Sequence, residues 1–133
     1  MQLQALSIQN RTSRLVGGVE KLIPFVDTGP RGRAISTSAL TACKAMDDGY
    51  RHACSSASPT EFISRISTVA RQAKKTKAAL MLLAQLGYAP IASIRELIIE
   101  ARRLENIFVS SRNTAKRRQP GRLVSVRDSF KPL

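Results

Sequence analysis

The chain's 133 residues are enough for one domain with a modest core, and a hydrophobic fraction of 43% is compatible with a folded protein. Aromatics make up 5% and Trp is absent, so the core must be built from Leu, Ile, Val and Ala, which suits helix packed on helix and disfavours a β-sandwich. Twenty-two Lys and Arg against nine Asp and Glu give a formal net charge of +13, which calls for a polyanion, with nucleic acid first and an anionic membrane surface second.

Residues 3–26 carry an apolar stripe at Ile8, Leu15, Val19, Leu22, Ile23 and Val26, interrupted by Gly17-Gly18, so a helix is expected there with an uncertain first half. The stretch DTGPRGR (27–33) reads as a loop. A second helix is expected over about 34–55, with Ile35, Ala39, Ala42, Cys43, Met46, Tyr50 and Ala53 on one face.

Ser58, Pro59 and Glu61 form a capping box for a third helix. Its seam is Phe62, Ile66, Val69, Ala73, Thr76, Leu80 and Leu83, alternating steps of four and three. Gly87 is placed to end it in the left-handed conformation, and Pro90 blocks continuation. Ser93 and Glu96 read as a second capping box. The fourth helix sets Ile94, Leu97, Ile98, Ala101, Leu104 and Phe108 on one side. Short connections imply antiparallel neighbours. The expected fold is all-α: an up-down antiparallel four-helix bundle over residues 1–112, with a flexible basic C-terminal tail over 113–133.

Chemistry-bearing residues gather in the second helix: Cys43, Asp47, Asp48, His52 and Cys54. On one helix the two cysteines lie roughly 16 Å apart, too far for a disulfide. They read instead as small hydrophobes on or beside the apolar face. Asp48 and His52 are spaced i, i+4 and read as a surface charge pair, since a metal centre needs three or four convergent ligands. There is no phosphate loop, HExxH or GxSxG. The expectation is no catalytic residue, no metal, no cofactor and no enzyme. No apolar run approaches a membrane span, and the N-terminus lacks the order of a signal peptide, so a cytoplasmic protein without membrane attachment is expected.

In sequence order, Asp48-Gly49-Tyr50 ends a helix rich in small residues. Ser58, Glu61 and Phe62 start the next, and Leu86-Gly87-Tyr88 closes it. This arrangement, over about residues 33–112, resembles the four-helix-bundle family encoded in intervening sequences of bacterial large-subunit ribosomal RNA genes. That superfamily includes the accessory variability protein (Avd) of diversity-generating retroelements. Two positions depart from the pattern: Ala42-Cys43-Lys44-Ala45 stands where the family usually has Ile-Pro-x-Asn, and the late Gly-Gly-Trp of retroelement members is missing. The resemblance implies a homo-oligomer, a pentamer in the family. It also implies an accessory role with a retroelement reverse transcriptase and its template RNA or cDNA. The alternative within the same resemblance is a structural or interaction protein of the ribosomal RNA intervening-sequence type.

The expected nucleic-acid contacts are Arg71, Lys74, Lys75 and Lys77 on the third helix, Arg102, Arg103 and Arg112 on the fourth, and Lys116, Arg117 and Arg118 beyond it. Lys77 is expected at the flank of the seam with its ammonium in solvent. No zinc finger, RNP aromatic pair or basic zipper is present, and aromatics for stacking are few. Contacts with RNA and DNA should therefore be to the backbone, salt-sensitive and of little sequence preference.

Overall fold

The computed structural model describes residues 3–26 and 29–119. Four helices form an all-α bundle: α1 (Leu3–Leu22), α2 (Pro30–Cys54), α3 (Pro59–Gln85) and α4 (Ile91–Arg118), with a 3-10 turn at Ile23–Phe25 after α1. Each helix runs antiparallel to the next. Thr12 and Glu20 of α1 meet Asp47 and Lys44 of α2, while Thr60 and Lys77 of α3 meet Gln119, just past the end of α4, and Glu105 within it. Arg11 of α1 meets Glu100 of α4, which closes the ring.

The core is the one the apolar periodicity specifies. Ala39, Cys43 and Met46 of α2, Ile66, Leu80 and Leu83 of α3, and Ile94, Leu104 and Phe108 of α4 are all inaccessible to solvent. Tyr50 and Phe108 meet across it with ring centroids 5.3 Å apart, tilted by 36°. Phe62 and Ile35, at the ends of their stripes, and Ile23, Leu97 and Ile98, within theirs, are only half-buried.

Helix boundaries follow the local chemistry. The Ser58 hydroxyl accepts the Glu61 N–H at 3.1 Å, and the Glu61 carboxylate reaches back to the Ala57 N–H at 3.0 Å. That is the expected box, with its return bond displaced by one residue. At the other end of α3, Gly87 has φ +72. The Tyr88 N–H bonds the Leu83 carbonyl, and the Gly87 N–H bonds the Ala84 carbonyl, which completes a Schellman motif.

Three expectations are corrected. Ser93 does not cap α4, because the helix starts two residues earlier, directly after the extended Pro90, whose carbonyl already accepts the Ser93 and Ile94 N–H groups. The breaker-rich loop is shorter than expected, because Pro30 takes the first turn of α2, where its missing N–H costs nothing. The tail expected from residue 113 is helical through Arg118. The part of that tail from residue 120 onward lies outside the described residues.

α1 runs unbroken through Gly17-Gly18. A Cβ at Gly18 would lie 2.6 Å from Leu97 Cδ2, whereas one at Gly17 would meet nothing within 4 Å. Gly17→Ala should therefore stabilise the fold by about 0.5–1 kcal/mol, because it removes backbone freedom from the unfolded chain without a new contact. The thermal midpoint should rise by a few degrees. A lowered midpoint would mean that α1 is not helical there.

Candidate nucleic-acid interface

Five acidic side chains of the described residues are taken up by ion pairs: Glu100 with Arg11, Glu20 with Lys44, Asp47 with Arg51, Glu61 with Arg65, and Glu105 with Lys77. The Arg11 fork is bidentate, with Nε and Nη2 each donating at 2.8 Å. That hydrogen bond holds the guanidinium proton more firmly than usual, against the opposing effect of its burial. The remaining cations form the positive surface.

The structure divides the expected contact residues into groups. Arg71, Lys74 and Lys75 are exposed on the outer face of α3, and Arg71 donates only to its own-helix neighbour Thr68 at 3.1 Å. Lys77 departs from expectation. Its ammonium does not reach into solvent but donates to Glu105 of α4 at 2.7 Å, and both side chains are mostly covered. It is a bridge between helices before it is a free cation.

Arg102 and Arg103 cannot share one face, because an α-helix turns roughly 100° per residue. Arg103 lines a cleft between α1 and α4 together with Arg11, Arg14, Glu96 and Glu100, where Glu100 is already held by Arg11. Arg102 is exposed. Arg112 donates to Asn113 at 3.3 Å. Lys116, Arg117 and Arg118 occupy the last turn of α4, where cations also offset the negative end of the helix. Arg118 lies against the α2–α3 turn beside Ser58 and Pro59, and Gln119 anchors that end by donating to Thr60 at 2.7 Å.

The residues that invite a catalytic reading are built into the bundle. Cys43 is inaccessible and its thiol is free. Burial first, then the charges of Asp47 and Glu20, push it up to about 12, which makes it a poor nucleophile. Cys54 is half-buried and free. Burial, and then the hydrogen bond with Cys54, raise the Tyr50 hydroxyl well above its ordinary value. Among the described residues, no group of three His, Cys, Asp or Glu converges as metal ligands would.

The expected Asp48–His52 pair does not form, and both residues are exposed. The carboxylate that matters is Asp47, one position earlier and nearly buried. Its Oδ1 accepts the Thr12 hydroxyl at 2.6 Å and the Ser13 hydroxyl at 3.1 Å, and Oδ2 lies 3.4 Å from Arg51 Nη2. Arg51 in turn donates to Ser13 at 2.6 Å. This network fixes how α1 sits on α2.

Sequence reasoning passed over Arg31 and Arg33 by assigning them to a loop; both are exposed on the first turn of α2. A signal for them was available. Neither residues 29–46 nor residues 62–95 contain a single Asp or Glu, so the outer faces of α2 and α3 are basic together.

Comparison of the chain with family models, curated proteins and solved structures found no match. No helix among the described residues is long and apolar enough to cross a membrane.

Proposed function

We propose that this protein is a non-enzymatic accessory subunit that binds the phosphate backbone of RNA and DNA. In this reading it works in the cytoplasm as a homo-oligomer beside a reverse transcriptase and that enzyme's template RNA or cDNA. One observation carries the nucleic-acid part: all but Asp48 and Glu96 of the carboxylates among the described residues pair with cations between or along helices, while Arg71, Lys74, Lys75 and the last turn of α4 have none as partner there. Such a surface repels itself unless a polyanion covers it. The oligomer and the polymerase come from the resemblance to the retroelement accessory proteins.

The test is fluorescence anisotropy with a labelled mixed-sequence RNA oligonucleotide and its DNA counterpart over a range of salt. Log affinity should fall linearly with log salt, and replacing Arg71, Lys74 and Lys75 by Gln should flatten the slope by roughly 0.7–0.9 per lost contact. RNA and DNA should weaken alike. Failure of the wild-type protein to bind either probe overturns the reading. For the partner, the purified protein should co-elute with a reverse transcriptase encoded beside its gene. Nucleic-acid binding with no such association returns the protein to the intervening-sequence type.

A further inference from the structure

A shallow groove runs along the contact of α2 with α3. It has two adjoining stretches, about 490 and about 410 Å³ in volume, which share Ala34, Ser38 and Lys75. The first sets the polar side chains of Thr37, Thr41 and Gln72 among the alanines of its walls. The second is apolar, with Ile35, Ala79 and Leu82.

Three features of this groove point to one kind of ligand. Its donors are idle. Hydroxyls on α3 such as Ser67 and Thr76 bond back to the carbonyl four residues earlier, but the side chains of Thr37, Ser38, Thr41, Gln72 and Lys75 make no hydrogen bond or ion pair within the described residues. Its field is also of one sign. Arg33 stands one helical turn before Thr37, and Arg71 one turn before Lys75, so both extend the same rows. The acid-free stretches 29–46 and 62–95 supply both walls. The cleft between α1 and α4, by contrast, sets its arginines against Glu96 and Glu100. Finally, small side chains at Ala34, Ser38 and Ala78 leave room for a bulky backbone to come close. Hydroxyl, amide and ammonium donors are the groups that hold phosphate oxygens without reading bases, and the apolar stretch suits the C–H faces of sugars.

We infer that the α2–α3 groove seats the nucleic-acid backbone. Lys75 holds a phosphate at the junction of the two stretches, Thr37, Ser38 and Thr41 donate to its neighbours, and Arg33 and Arg71 fix the strand from the ends. This rests on the reading that the protein binds nucleic acid, and it moves the centre of the site from the outer face of α3 and the end of α4 to the seam between two helices.

The decisive variant is Ser38→Leu, which fills the groove without changing any charge. Ser38 is exposed, so folding should be kept, as checked by an unchanged circular-dichroism melt. With the same RNA and DNA probes, Ser38→Leu should weaken binding by roughly three- to tenfold, the loss of one or two net hydrogen bonds. Lys75→Gln should weaken it and flatten the salt slope by about 0.7–0.9, whereas Arg117→Gln should do less of both. Wild-type affinity in Ser38→Leu overturns the groove while leaving the proposed function intact. The same holds if Ser38→Leu alters binding to phosphatidylserine vesicles or to an acidic peptide but not to RNA. A wild-type protein that binds neither probe overturns the proposed function itself.

Discussion

Leu80→Asp should unfold much of the protein at neutral pH. Leu80 has no accessible surface and sits in the last turns of the α3 seam, between Thr76 and Leu83. The substitution removes packing worth about 2–5 kcal/mol. It also places a carboxylate in a site with no accessible surface, at a further cost of several kcal/mol after relaxation. Together these rival the whole stability of a typical domain, about 5–15 kcal/mol.

The charge component has its own signature. Burial raises the folded-state pKa of the introduced carboxylate above its unfolded value of about 3.9. The charge penalty is therefore absent below that value and grows as pH rises towards the folded-state pKa. Leu80→Asn, which cannot ionise, supplies the baseline. Denaturant midpoints for the two variants should converge near pH 4 and separate towards pH 7. Equal midpoints at both would show that the position is wet.

Thr12→Val should cost about 1.5–3 kcal/mol, the range for a hydrogen bond to a charged acceptor. The substitution keeps the shape of a side chain that has no accessible surface, but it removes the 2.6 Å bond to Asp47. Ser13 and Arg51 still hold the carboxylate, so the loss should stop short of the penalty for an unpaired charge. Thr12→Ser, which retains the hydroxyl, should recover most of it. Urea titration is the measurement, with a lowered midpoint and an unchanged slope marking a true stability change. A Thr12→Val midpoint equal to wild type would mean that Ser13, Arg51 and solvent satisfy Asp47 without Thr12.

These two residues also mark how far the sequence could be read. Leu80 was legible because helical periodicity is local, and the stripe from Ile66 to Leu83 can face only one way. Gly87 was legible for a similar reason: a left-handed residue after an apolar run demands glycine. Ser93 shows the limit of the same logic. Its capping-box spacing also occurs inside a helix, and Pro90 had already supplied the start. Arg51 stands at i+4 from Asp47 and was within reach, but Thr12 and Ser13 of α1, and Glu105 as the partner of Lys77, belong to other helices and were not. A reading confined to i, i+4 neighbours paired Asp48 with His52, since nothing within α2 reveals which carboxylate α1 will cover. The candidate interface was legible as a quantity of charge, but the groove depends on how α2 and α3 are rotated against each other, which no single helix encodes.

The up-down connectivity has a kinetic consequence. α1 with α2, α2 with α3 and α3 with α4 are all neighbours in sequence as well as in space, so each pair can zip from its own turn with little chain to order. Folds dominated by such local contacts form in microseconds to milliseconds. The docking of α1 on α4 is different: Arg11 and Glu100 are 89 residues apart, and that loop must close before their bond contributes. The α2–α3 hairpin, with the groove between its helices, can be complete before the ring shuts.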